Sequence, residues 1–125
     1  ILAAKLNKID KAYELYLRTS RLDLDDYNQE ASEGLHITSM AGTWLSVIEG
    51  FAGIRIKKQQ LYINPKLPNE WKELKFNLVV NNNLFQIEIN HNHFTVFNPD
   101  DKKITFSHKH KWHEVLAHKV THIIF

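Results

Sequence analysis

The sequence predicts an α+β fold, with helices confined to residues 1–53 and short antiparallel strands filling 54–125. Two observations carry this reading. Apolar residues recur with a helical period before Ile54 and with a period of two after it. The separators change at the same point, from charged stretches to Asn- and Pro-containing turns.

In the first part, Ile9, Ala12, Tyr13, Tyr16 and Leu17 form one apolar stripe, which predicts a helix over residues 11–22 with Asp10 as its N-cap. Residues 23–30 are acidic and aperiodic, so a loop or frayed end is expected there. Met40, Thr43, Trp44, Val47, Ile48 and Phe51 give a wider stripe with few charges, the pattern of a buried helix. Gly50 and Gly53 stand where a left-handed C-terminal cap is wanted.

In the second part, Leu74, Phe76, Leu78 and Val80 alternate with Lys75, Asn77 and Val79, Phe85, Ile87 and Ile89 alternate with polar neighbours, and Asn81-Asn82-Asn83 between the two runs reads as a hairpin turn. Phe94 with Val96 and Ile104 with Phe106, separated by Asn98-Pro99-Asp100-Asp101, read as a second hairpin. Pro65 and Pro68 stiffen the approach to Trp71. Residues 109–125 mix apolar side chains with many His, and Ile123-Ile124-Phe125 is placed as a closing strand or a sticky end. The expected architecture is a pair of helices set against a small β-sandwich.

Composition excludes several function classes. The chain has 125 residues, enough for one ordinary domain or two small packed pieces. A formal charge of +2 is too balanced for a protein that binds by neutralising nucleic-acid phosphates. The absence of Cys removes disulfide scaffolds and thiolate metal sites and fits a reducing compartment, so a cytoplasmic location is expected. No apolar run reaches the roughly 20 residues of a membrane span, and the first residues lack a leader pattern. Ile1 reads as a cut inside a longer protein.

The stretch from Ser32 to Trp44 is the most suggestive chemically. It places His36, Thr38 and Ser39 at the start of the second helix, where backbone N–H groups lack intrahelical partners and the helix dipole is positive. An imidazole, two hydroxyls and those amides could hold a phosphate or carboxylate. The same residue types also suit a plain helix cap, with His36 on a neighbouring carbonyl. Two further groups compete for attention. His91/His93 and His108/His110 have the i, i+2 spacing that puts two imidazoles on one strand face, a pattern compatible with metal, although exposed strands often carry such residues without a role, and no metal site is assigned. Asp23, Asp25 and Asp26 lack the spacing of a calcium loop and read as an acidic helix end, while Glu30 and Glu33 carry no mark of acid or base work.

Ala12-Tyr13-Glu14-Leu15-Tyr16, Arg21-Leu22-Asp23-Leu24-Asp25-Asp26-Tyr27-Asn28, residues 33–44 (EGLHITSMAGTW), Phe51-Ala52-Gly53-Ile54 and Leu61-Tyr62-Ile63-Asn64-Pro65-Lys66-Leu67-Pro68 together resemble the C-terminal part of glycoside hydrolase family 65, especially its maltose-splitting members. The resemblance covers roughly residues 11–106, and the His-rich tail departs from it. It implies that 1–53 are the last helices of an (α/α)6 barrel and 54–125 a C-terminal β-sandwich domain. It further implies an inverting disaccharide phosphorylase, converting maltose and inorganic phosphate to β-glucose 1-phosphate and glucose, with no cofactor and a homodimeric whole. The family's general acid lies upstream, so no catalytic residue is expected in this chain and the isolated segment should be inactive. Under this resemblance His36, Thr38 and Ser39 become phosphate ligands. The alternatives are a structural or carbohydrate-interaction β module, a trehalose or kojibiose phosphorylase, or a hydrolase of the same family.

Overall fold

The computed structural model of the protein describes residues 1–26, 29, 32 and 34–125. Its helices are α1 (Leu2–Lys5), α2 (Ile9–Ser20), α3 (Leu22–Asp25) and α4 (Ile37–Leu45), and α4 runs on into a π-helical segment, Ser46–Phe51. The strands are β1 (Ile54–Lys57), β2 (Gln60–Ile63), β3 (Glu73–Val80), β4 (Asn83–Asn90), β5 (His93–Phe97), β6 (Ile104–His108), β7 (Lys111–Val115) and β8 (Val120–Ile124).

Helix α2 begins two residues before the expected position. Asp10 is therefore not its N-cap but lies in its first turn, where a carboxylate still complements the positive end of the dipole. Ala12 is buried, and Ile9, Tyr13 and Tyr16 pack against the core. The acidic stretch expected to be irregular instead winds into α3, tied by Arg21 to Asp25 through two 2.7 Å hydrogen bonds. The rest of that stretch that bears on the expectation, residues 27, 28 and 30, lies outside the described residues, as does the Glu30/Glu33 pair.

The stripe of α4 is buried only at its C-terminal end. Ile48 and Phe51 enter the core, whereas Met40 and Trp44 are 55% and 61% exposed, because among the described residues nothing covers that end of the stripe. Thr43 Oγ1 and Ser46 Oγ donate back to the carbonyls of Ser39 and Gly42, each at 2.8 Å, and the ladder widens into the π form directly afterwards. Gly50 is buried within the π-helical segment, close to the backbone of Ile1, and is not a cap. Gly53 is the left-handed residue, at φ 64°.

Two four-stranded sheets follow, ordered β1-β2-β6-β7 and β3-β4-β5-β8. Every pairing is antiparallel except β2 with β6. The β3–β4 hairpin forms as expected, with Asn81 and Asn82 at φ 51° and 62° in its two-residue loop. The second expected hairpin does not form. β5 pairs with β4 and β8, while β6 joins the other sheet, so 98–103 crosses between sheets. Asn98 holds this crossing. Fully buried, it donates from Nδ2 to the carbonyls of Lys102 (2.8 Å) and Val115 (3.0 Å) and accepts the Asp100 amide on Oδ1 (3.0 Å). The tail is regular structure: β7 and β8 complete one sheet each.

The inward residues of both sheets belong to one core, joined by the edge-to-face contact of Phe94 with Phe106 at 5.9 Å. The helices reach the same core through Phe51, whose ring lies 5.7 Å from Tyr16 and 5.0 Å from Trp71. Trp71 also meets Tyr13 and Tyr16 edge-on, so this one aromatic cluster seats the helices on the connection before β3. No helix among the described residues is long and apolar enough to cross a membrane.

Candidate functional site

The first turn of α4 follows an inverse γ-turn, in which the Ile37 amide donates to the Leu35 carbonyl at 3.1 Å. His36 occupies the N-cap position at φ −83° and ψ 82°, and none of Ser32, Thr38 and Ser39 caps the helix with its side chain. The amides of Ser39 and Met40 both turn back onto the His36 carbonyl, at 2.9 and 3.2 Å. The Thr38 amide has no acceptor among the described residues.

The partner of His36 is Asp23, on α3. Its carboxylate accepts the His36 backbone N–H at 3.1 Å and lies 2.5 Å from ring atom Nδ1. The carboxyl is held below its ordinary value of 3.8, chiefly by the hydrogen bond from the His36 ring, which outweighs the opposing cost of burial, with smaller contributions from the His36 amide and ring charge. A carboxylate on one ring nitrogen orients the imidazole. Sequence reasoning missed Asp23 as a site residue, filing it under an acidic helix end. The two residues are 13 positions apart, and only the fold of α3 against α4 joins them.

Asp23 also lines a hollow of about 280 Å³ between α2, α3 and α4, with Thr19, Ser20, Ser39, Met40 and Thr43. Of the three expected ligands, Ser39 faces this hollow, His36 flanks it through Asp23, and Thr38 is exposed and outside its lining. The structure thus joins His36 to Asp23, sets Ser39 on the hollow that Asp23 also lines, and leaves Thr38 outside it.

The late His residues are dispersed, contrary to the shared-face pattern. His91 and His110 sit in turns, so neither i, i+2 pair shares a strand face. His91 bonds the Trp71 carbonyl at 2.7 Å, and His93 bonds Asn90 at 3.3 Å. His108 is buried with Nδ1 on the Ile63 carbonyl at 2.9 Å, and His118 faces Asp101 at 2.9 Å. No group of three His, Asp or Glu among the described residues could hold a metal ion.

Two family models match the chain, the glycosyl hydrolase family 65 central catalytic domain over residues 1–45 and the glycosyl hydrolase family 65 C-terminal domain over residues 54–115. The chain belongs to glycoside hydrolase family 65. Within the family it is 46% identical to a maltose phosphorylase of Bacillus subtilis over 106 residues, which is 85% of this chain and 13% of that protein. It is 47% identical to an α,α-trehalose phosphorylase of Thermoanaerobacter brockii over 78 residues, 62% of this chain and 10% of that protein. A solved structure assigned as a kojibiose phosphorylase from the human microbiome superposes with a TM-score of 0.87 at 26% identity, covering 98% of this chain and 16% of that one. The chain therefore spans a small C-terminal-type portion of its family 65 relatives, and the junction between the two matched models falls where α4 and its π-helical extension give way to β1.

Proposed function

We propose that this chain is the C-terminal part of an inverting family 65 disaccharide phosphorylase acting on maltose, and that the start of α4 forms part of its phosphate site. The observation that carries the reading is the Asp23–His36 pair at the N-terminus of α4, in a chain that matches maltose, trehalose and kojibiose phosphorylases. Maltose is chosen because that relative aligns over 85% of the chain, against 62% for the trehalose enzyme.

Phosphate explains why such a site needs no base. An inverting hydrolase uses one carboxylic acid on the leaving oxygen and a carboxylate to activate water on the opposite face. Phosphate arrives already anionic and nucleophilic, so the protein has only to hold it in line with the anomeric carbon. In this reading the His36 imidazole, oriented by Asp23, donates to the phosphate, while the hydroxyls of Thr38 and Ser39 and the Thr38 amide donate to its other oxygens. The general acid comes from the upstream part of the catalytic domain, so residues 1–125 alone do not turn over. Residues 1–53 form the end of the (α/α)6 barrel and 54–125 a β-sandwich domain that buttresses it. The whole enzyme is cytoplasmic and homodimeric, takes disaccharide and phosphate as substrates, and needs no cofactor.

The test uses the full-length enzyme with its upstream domain. Losing a charge-assisted hydrogen bond of about 1.5 to 3 kcal/mol predicts that His36→Ala raises the KM for phosphate by about 10- to 100-fold in a variant that circular dichroism shows to be folded, its melting temperature lowered by the lost bond to Asp23. Wild-type phosphate affinity in that variant would remove His36 from the site. Hydrolysis of maltose at equal rate with and without phosphate would remove the phosphorylase reading.

A further inference from the structure

The outer face of the β1-β2-β6-β7 sheet carries a feature that the phosphate reading does not use. Tyr62 on β2 and Trp112 on β7 stand on either side of β6, both in register with Ser107. Their rings lean toward each other over this small residue, with centroids 5.7 Å apart and planes inclined by 60°, and Ser107 beneath them is 2% exposed. Trp112 itself is 50% exposed. The adjoining row of the same face offers Gln60, Thr105 and Glu114, all exposed. Gln60 Oε1 accepts from the Tyr62 hydroxyl at 3.3 Å, Lys57 Nζ stands 6.0 Å from the Tyr62 ring, and Lys103 bridges to Glu114 at 2.8 Å.

We propose that this face is a carbohydrate-binding platform for α-linked glucose chains. Aromatic planes take the apolar C–H face of a pyranose, and a flanking set of amide, hydroxyl and carboxylate groups takes its equatorial hydroxyls. The face carries Arg55, Lys57 and Lys103 as cations and Glu114 as an anion, but Arg55 is drawn to Glu49 and Lys103 is paired with Glu114, so the charges are largely engaged among themselves, which suits a neutral polyhydroxyl ligand. The inclination of the two rings selects within that class. A straight β-linked glucan presents successive sugar faces in nearly one plane, whereas an α-linked chain curves and presents them at an angle. The choice of glucose chains rests on the proposed maltose chemistry. The platform itself is separate from α4 and shares no residue with the phosphate site.

The experiment titrates the 125-residue chain with maltoheptaose, read by tryptophan fluorescence and by calorimetry, with cellohexaose as the straight-chain control. Saturable quenching by maltoheptaose is expected, about tenfold or more weakened in Trp112→Ala and in Tyr62→Ala, and partly retained in Trp112→Phe. Unchanged melting temperatures would show these variants folded. His36→Ala should bind maltoheptaose like the wild type, so failure of the phosphate site and failure of the platform are told apart. The proposal is overturned by absence of saturable binding, by wild-type affinity in the folded Trp112→Ala and Tyr62→Ala variants, or by equal affinity for cellohexaose. It is also overturned if Trp112→Ala abolishes self-association that maltoheptaose does not compete, since the face would then bind a second copy of the chain.

Discussion

Gly53→Ala should be among the most damaging single-methyl additions in this chain, and the structure says how damaging. Gly53 lies at φ 64°, directly after the helices and before β1, and a Cβ built on it would sit 1.8 Å from the carbonyl oxygen of Asn64 and 3.1 Å from the nitrogen of Pro65. Both neighbours are backbone and cannot swing aside as a side chain would. Left-handed backbone costs a non-glycine residue about 1 to 2 kcal/mol. Moving the 64–66 segment away would also stretch the bonds from the Asn64 amide to Gly53 O (3.2 Å) and from the Lys66 amide to Phe51 O (2.7 Å). Each such bond is worth about 0.5 to 1.5 kcal/mol, so the total loss expected is about 2 to 5 kcal/mol. Gly34 supplies the control. Its φ is also positive, 92°, but among the described residues nothing lies within 4 Å of a Cβ added there. Gly34→Ala pays the backbone term alone, partly offset by the lower entropy of the unfolded chain, for a net of about 1 kcal/mol or less. Urea unfolding followed by circular dichroism measures both. A gap between the two variants smaller than about 1 kcal/mol would refute the collision argument.

Other outcomes follow from the same structure. Asn98→Ala strands the buried Val115 carbonyl together with the Lys102 carbonyl and Asp100 amide, and should cost about 2 to 3 kcal/mol in urea melts. His110→Gly relieves a non-glycine residue at φ 65° in the β6–β7 turn and should raise stability by about 1 kcal/mol, seen as a higher urea midpoint with an unchanged slope. Burial first, then the neighbouring charges of Lys109 and His113, hold the His108 imidazole below its ordinary value of 6.5, despite the opposing bond to the Ile63 carbonyl. The unfolded chain therefore takes up this proton first, so stability should fall as pH drops below about 6.5 toward the depressed native value, and His108→Gln should flatten that slope in pH-dependent melts. For Asp23, whose carboxyl is depressed below 3.8 by the His36 ring, the contribution is present above that pH and lost in stronger acid as the native value is passed; Asp23→Asn should remove this acid limb.

Much of this arrangement can be read from local pattern. The helical stripe of α2, the alternation of β3 and β4 and the Asn81-Asn82 turn depend on side chains near one another in sequence, and Asn tolerates left-handed backbone. The other positive-φ hairpin turns, Lys58-Gln59 and Lys109-His110, contain no Gly, Asn or Asp, so pattern gave no sign of β1–β2 or β6–β7. Asn98-Pro99-Asp100-Asp101 carries the composition of a hairpin turn and yet crosses between sheets, because the chain there is decided by where Phe94 and Phe106 find their common core. At the candidate site, His36, Thr38 and Ser39 were visible as a helix start, while Asp23 was not.

By itself the sequence determined that helices precede strands, the family, and the residue types gathered at the start of α4, since each depends on periodicity or on contiguous strings of residues. Tertiary structure alone decided which sheet each strand enters, that Asp23 closes on His36, that Met40 and Trp44 stay exposed, and that Tyr62 and Trp112 meet above Ser107. Those are pairings between residues far apart along the chain. Their partners are chosen by burying a shared core and by satisfying backbone hydrogen bonds, which no local window of sequence can weigh.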